Sequence, residues 1–420
     1  MRISTAATVV SNIIAKPYQD LCDRAEDLEM ELSPMVEPQV TLVVVPRERF
    51  SFTRESLESI YEHTDFPFKL VYVDNNSPAL VRSYLEAQAQ AKDFLLIQSD
   101  YYLSPNQARN VGLRQVNTKY VVFIDNDVIV SPGWLRALVE CAEETNATVV
   151  GSLVCQHTPL HEIIHCAGGE YMPREELVHF LGEKSSRKQE TKGLEVKPRI
   201  LEKIYHQGRR VADLRDQLQR QQTGFVEFHC VLVRTDIFTQ IGLLDEKLSC
   251  TKEYLDLCMS VAIAGGTVYL EPASVVTFLT HFPAPPLERS DIPYFMLRWS
   301  DAWEVASLHH FRDKWGLTED GYFQNRYKRL GWRRRIEIVK PLAAHFAFLG
   351  KKTTIRLERK LGRMEKVLNR YITTRYTRRQ SQRRQNQAPA RRLSSVAVGV
   401  PAQAIKSRNF SKVVNSTGNE

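Results

Sequence analysis

The chain has 420 residues, 43% hydrophobic and 25% charged, enough for a sizeable core and ordinary for a globular protein. Its net charge of +8 is unevenly carried: residues 321–420 hold 25 Lys+Arg against 4 Asp+Glu, whereas residues 1–320 hold 32 against 45. An acidic body argues against a nucleic-acid enzyme, and the basic end suits an anionic surface. The seven cysteines are odd in number and contain no C-x-x-C pair, which argues against a zinc knuckle or a disulfide scaffold and fits a reducing, cytoplasmic setting. No stretch approaches the ~20 apolar residues of a membrane span.

In chain order, residues 1–38 read as a partly helical arm, without the defined cleavage site of a secretion signal. Residues 39–150 then alternate strand and helix. "VTLVVVP" (40–46) is a continuous apolar run, the mark of a strand covered on both faces. "TRESLESIYEHT" (53–64) is helical, "FKLVYVDNNSP" (68–78) is a second strand, and a helix follows from Ala79 to Ala91. "DFLLIQS" (93–99) is a third strand. "SPNQARNVGLRQV" (104–116) starts with Ser-Pro, a good helix opening, and "YVVFID" (120–125) is a fourth strand. This alternation predicts an α/β fold with a doubly wound, mostly parallel sheet and helices on both faces. Residues 151–320 form a less regular second half, with an exposed insertion at 183–199, a strand and helix at 225–238 and a strand at 266–278. Residues 321–372 are a basic helical extension in which Leu357, Leu361, Met364, Leu368 and Tyr371 fall at helical spacing. Residues 373–420 have little apolar content and are expected to be a disordered basic tail.

Open α/β sheets bind ligands beyond the carboxyl ends of their strands. Three strands end there in polar residues: "PRERF" (46–50), "DNNS" (74–77) and "DND" (125–127). Two carboxylates and an amide make a hard-oxygen site suited to Mg²⁺ or Mn²⁺, shared with substrate phosphates. Asp74, one strand over, is placed to accept hydrogen bonds from a base or ribose.

The order "VVVP…SLESI…VDNNSP…ARNVGL…YVVFIDNDVIVSPGWL" resembles a family 2 glycosyltransferase of the GT-A fold, from about Thr41 to His281. The resemblance implies an inverting enzyme that takes a sugar from a nucleotide-diphosphate donor. It makes 39–150 the nucleotide-sugar half and 151–320 the acceptor half. It assigns Pro46, Glu48 and Asp74 to the nucleotide, places Arg109 and Asn110 beside the donor, and makes Asp125 and Asp127 the metal-side acids. His281 corresponds to a further metal-site or diphosphate-site histidine of some relatives. The family's Glu-Asp motif falls on "KEYLDLCMSVAIAGG" (252–266), with Glu253 and Asp256 on two of its acids and Tyr254 where the family commonly has its general base. Glu253 is then the first candidate base and Asp256 the second. "PRERF" also departs from the family's usual run.

"HEIIH" (161–165) fits the zinc-peptidase pattern H-E-x-x-H, which needs a helix. Its β-branched, Gly-rich surroundings predict a strand instead, with His161 and His165 ~13 Å apart at ~3.3 Å per residue. His157, His161 and His165 read as ordinary histidines before they read as sugar-pocket residues. "FMLRWSDAW" (295–303) and "HHFRDKWG" (309–316) read as aromatics packed on the sheet before they read as an acceptor platform. The sequence thus points to a cytoplasmic, metal-dependent glycosyltransferase acting on a glycan or lipid-linked acceptor, held at an anionic membrane surface by its basic end. A catalytically silent nucleotide-sugar binder is the alternative.

Overall fold

The structure is a computed structural model and describes residues 37–156, 158–172, 198–279 and 286–394. The arm, His157, His281 and most of the 183–199 insertion lie outside the described residues. The chain divides into two compact units, Met1–Arg370 and Tyr371–Glu420.

The first unit is built on a ten-stranded sheet. β1 (Val40–Val45), β2 (Phe68–Asn75), β3 (Leu95–Ser99) and β4 (Tyr120–Asp125) form its parallel part, in the spatial order β4-β1-β2-β3. Every residue of β1 and β4 is buried, as expected for apolar strands covered on both faces. Three helices connect these strands: α1 (Thr53–His63), α2 (Ala79–Lys92) and α3 (Pro105–Leu113). α3 starts on a capping box, in which Ser104 and Gln107 satisfy each other's backbone N–H and Pro105 sits at the first helical position. It packs so closely on β1 that a Cβ on Gly112 would stand 2.3 Å from Val43 Cγ1.

The chain runs outward from β1 through β2 to β3, then returns to place β4 on the other side of β1. β1 and β4 therefore flank the switch point, where such sheets open a crevice at their carboxyl ends. Val45 pairs with Asp125, so the "PRERF" and "DND" segments leave the sheet side by side.

Beyond β4 come β5 (Val128–Val130), α4 (Trp134–Thr145), β6 (Val149–Gln156), β7 (Ile163–Cys166), β8 (Gly169–Glu170), β9 (Lys203–Ile204) and β10 (Gln221–Gln222). β11 (Cys230–Arg234) inserts antiparallel between β4 and β6, and β12 (Val268–Phe278) runs parallel to β6. α5 (Glu253–Ile263) lies between β11 and β12 in sequence. "HEIIH" is turn and strand: His161 has a left-handed φ of 63°, and His165 lies on β7, so the two cannot share a helix face.

After β12 come α6 (Ile292–Arg298) and α7 (Asp301–Trp315), and the extension from 321 begins with α8 (Gly321–Lys328), followed by a helical segment α9 over 332–344 with a π-type stretch at Arg335–Val339, and α10 (Lys351–Ser394). α10 continues well past Thr373, where the sequence predicted disorder. Arg and Gln, which dominate that stretch, are good helix formers despite burying little. Within it Arg375 Nη1 donates to Tyr371 Oη at 3.4 Å and Gln380 Nε2 to Tyr376 Oη at 2.5 Å, both four residues apart.

Candidate active site

The site forms where β1 and β4 end. Asn126, fully buried, acts as a latch between them: its Oδ1 accepts from Arg47 N at 3.1 Å, and its Nδ2 donates to Arg49 O at 2.8 Å and Thr53 Oγ1 at 3.1 Å. The amide in "DND" thus holds the β1 loop, while the flanking acids have other partners. The next turn of that loop is clamped by Asp291, which accepts from Phe50 N at 2.8 Å, Ser51 N at 3.2 Å and Ser51 Oγ at 2.7 Å.

Asp125 and Asp127 are both buried, at 2% and 0% exposure. Arg109, on α3, donates to Asp125 Oδ1 at 3.0 Å and lies flat on the Phe228 ring, 3.9 Å from its centroid. His229 Nδ1 stands 3.3 Å from Asp125 Oδ2. Burial alone would raise the Asp125 pKa, but the His229 hydrogen bond and the charges of Arg109, His229 and Arg47 outweigh it and hold the carboxyl below its usual range. The Arg47 guanidinium sits over the group at longer range, 3.6 Å from Asp125 Oδ2, 3.7 Å from Asp127 Oδ2 and 3.5 Å from Glu48 Oε2. Asp125, Asp127 and His229 bring three potential ligand atoms within 4.8 Å of one another. Two carboxylates with one imidazole fit a hard divalent cation that completes its shell from a phosphate and water.

The other sequence-predicted residues divide into those gathered here and those used elsewhere. Pro46 accepts from Tyr294 Oη through its carbonyl at 3.2 Å, and Glu48 is fully buried, receiving Trp299 Nε1 at 2.9 Å and Arg333. Asp74 ends β2 fully buried, with Oδ1 capping Ser77 N at 2.9 Å and Oδ2 3.3 Å from Arg82 Nε. Asn110 points away: it is tied to Leu244 on both sides, by Nδ2 to the carbonyl at 2.8 Å and by Oδ1 from the amide at 3.0 Å. Glu253 opens α5 and receives Arg298 Nη2 at 3.2 Å. Asp256, one turn on, is turned to α7, where Trp315 Nε1 donates at 3.0 Å and Lys314 Nζ at 2.8 Å. Burial pushes its pKa up against the pull of Lys314. Tyr254 donates to Glu202, a buried carboxylate that also receives Lys252 Nζ at 2.7 Å, Tyr322 Oη at 2.8 Å and Arg326.

Sequence reasoning missed Arg47, Glu227, His229, Arg298, Trp299, Arg333 and Glu337. The "EFH" run set an acid and an imidazole two residues apart just before a strand, but the chain turns at Phe228 and His229, so no strand period announced that they meet. Trp299 lies in the aromatic run read as sheet packing, yet its indole reaches Glu48 on the loop after β1.

A parallel β4-β1-β2-β3 set with paired acids at the switch point, joined to a mixed second half, is the GT-A architecture of nucleotide-sugar transferases. Residues 41–242, just under half of the chain, match the family model described as Glycosyl transferase family 2. Uncharacterised glycosyltransferases of Rickettsia conorii and Rickettsia felis are each 22% identical, over 161 and 144 residues, or 38% and 34% of this chain. The matched part spans only 25% and 23% of those relatives' own lengths. Among solved structures, GalNAc-T7 with UDP, GalNAc and Mn²⁺ is 13% identical, with a TM-score of 0.42, over 70% of this chain and 57% of that one. The mannosyltransferase PcManGT from Pyrobaculum calidifontis, in complex with GDP-Man and Mn²⁺, is 14% identical, with a TM-score of 0.40, over 82% and 85%.

Proposed function

We propose that the protein is a metal-dependent, inverting glycosyltransferase that moves a sugar from a nucleotide-diphosphate donor to a glycan or lipid-linked acceptor. The observation that carries this reading is the buried Asp125–Asp127 pair at the β1/β4 switch point, within a segment that matches the family. Asp125 and Asp127 would hold Mn²⁺ or Mg²⁺, which when bound offsets the charge of the departing nucleoside diphosphate. The side chains of the site supply the rest. Arg109 and His229 fix the Asp125 carboxylate, Asn126 fixes the loop that carries Pro46 and Glu48, and Asp74 faces the nucleoside end. Glu253, oriented by Arg298, takes the proton of the acceptor hydroxyl as it attacks the anomeric carbon.

In this reading Tyr254 is a structural partner of Glu202, and the lost family acid is not replaced at that position. Glu253→Gln should lower kcat by roughly 10²- to 10⁴-fold with donor KM little changed, whereas Tyr254→Phe should stay within a few-fold. Steady-state assays over a panel of UDP-, GDP- and dTDP-sugars with Mn²⁺ check both, and equal losses in the two variants would reject Glu253 as the base. The presence of Tyr254 favours one second reading, a nucleotide-sugar binder without turnover. Donor binding with no transfer or hydrolysis for any donor, acceptors supplied, would select it.

A cytoplasmic site of action, at an anionic membrane surface, fits the remaining features. The six described cysteines are all free and buried. No helix among the described residues is long and apolar enough to cross a membrane. Phe348 is 80% exposed, with Leu342, Phe346 and Leu349 exposed beside it, and Lys340, Lys351 and Lys352 flank them. Apolar side chains ringed by lysines suit the interface of an anionic bilayer. Co-sedimentation with phosphatidylserine vesicles should be strong at low salt and weaken at least tenfold in the Phe346→Ser/Phe348→Ser double variant; equal binding to neutral vesicles would contradict the charge component.

A further inference from the structure

One cluster beside the acids enters the mechanism above only through His229, which fixes Asp125. His165 lies on β7, while Glu227 and His229 stand two residues apart at the turn just before β11. We propose that His165, Glu227 and His229 form a second metal site, of the zinc class, separate from the Asp125–Asp127 pair.

Both imidazoles turn Nε2 on the same oxygen. His165 Nε2 is 3.0 Å from Glu227 Oε2 and His229 Nε2 is 3.5 Å from it, and all three ligand atoms lie within 4.8 Å of one another. Ligands ~2.0–2.1 Å from a tetrahedral ion stand roughly 3.4 Å apart, so the triad needs little rearrangement to close on one. The outer nitrogens stand beside oxygens: His165 Nδ1 is 3.1 Å from Gln156 Oε1, and His229 Nδ1 is 3.3 Å from Asp125 Oδ2.

The convergence of two imidazoles on one carboxylate carries the inference. In the tautomer that puts the ring hydrogen on Nδ1, each Nε2 lone pair faces inward, and a divalent cation between the three groups would be held by both lone pairs and the Glu227 carboxylate. A metal-ligating histidine is ordinarily set in this way, by an oxygen on its far nitrogen that fixes tautomer and ring orientation. Phe278 holds both rings, stacked on His229 at 4.3 Å and edge-on to His165 at 4.7 Å, so the ligands approach pre-oriented. Glu227 and His165 remain 12% and 14% exposed, which leaves a path for the ion and for water as a fourth ligand. Two imidazoles and one Glu are the donor set of His₂Glu zinc sites, whereas the Asp125–Asp127 pair offers harder oxygen donors.

Because His229 touches both groups, an ion on its Nε2 would also stiffen Asp125 through Nδ1. The test is a Co²⁺ titration of the full chain without nucleotide, read by visible absorption as a probe for zinc. Wild type and Asp127→Asn should both take up Co²⁺ with the intense bands of a four-coordinate N/O site, displaced by Zn²⁺. His165→Gln and Glu227→Gln, on separate segments, should each lose the bands and bind at least tenfold more weakly. Near-ultraviolet circular dichroism of each variant separates a lost ligand from a lost fold. Bands abolished by Asp127→Asn, or untouched by His165→Gln in the folded protein, would overturn the proposal.

Discussion

Replacing Asp127 by Asn is expected to reduce sugar transfer by about 10³-fold, roughly 4 kcal/mol of transition-state stabilisation, while the protein stays folded. The two halves of that expectation have different causes. Asp127 is fully buried just past the end of the switch-point strand, and the Arg47 guanidinium lies 3.7 Å from its Oδ2. Asn keeps the volume and removes the charge, so metal affinity and the stabilisation of the leaving diphosphate fall together. Asp125→Asn should behave differently. Asp125 is bonded to a buried Arg109 at 3.0 Å and faced by His229, so neutralising it strands a buried guanidinium. A broken buried pair costs about 3–5 kcal/mol, and that variant should lose stability as well as turnover. Mn²⁺ binding by electron paramagnetic resonance, kcat and thermal melting distinguish the two. A tenth or more of wild-type turnover in Asp127→Asn would remove this residue from the metal site.

The contrast between these acids shows how far the sequence could be read. The four parallel strands were legible because each is an unbroken apolar run, and such runs bury on both faces whatever their neighbours are. The paired acids were legible for the same reason, since charges at the end of a fully buried strand must face the carboxyl-end crevice. His229 and Glu227 were not, because their place depends on β11 inserting antiparallel beside β4, with Cys230 opposite Ile124 across a hundred residues of intervening chain. Asn110 and Asp256 have the right residue types at family positions, yet their carbonyl and carboxylate groups are taken by Leu244 and by Lys314 and Trp315. Nothing local in either segment announces those partners. The "PRERF" run departs from the family's usual run, and its Glu48 and Arg49 are answered by Arg333 and Glu337, nearly 290 positions away.

Those distant partners give the second large expected effect. Glu48 and Arg49 are both fully buried, and α9 supplies a counter-charge to each: Arg333 meets Glu48, and Glu337 Oε2 lies 2.9 Å from Arg49 Nη2. Arg333 also lies over the Trp299 ring, 5.2 Å from its centroid, while the indole donates to the same Glu48. The donor-side loop is therefore held from outside by a segment beyond the 41–242 family match. Arg333→Ala should cost about 3–5 kcal/mol, because it withdraws a cation from a carboxylate that has no exposure. The melting temperature should fall by roughly 5–10 °C. Donor KM should rise about tenfold, since the loop that positions the nucleotide loosens. Packing loss alone would also lower stability, so the decisive measurement is a cycle with Glu48→Gln. If the ion pair carries the effect, the double variant should be about 2 kcal/mol more stable than the sum of the singles predicts, because the stranded charge is gone. Additivity within about 0.5 kcal/mol would mean that Arg333 acts through its stacking on Trp299, and that the loop does not depend on its charge.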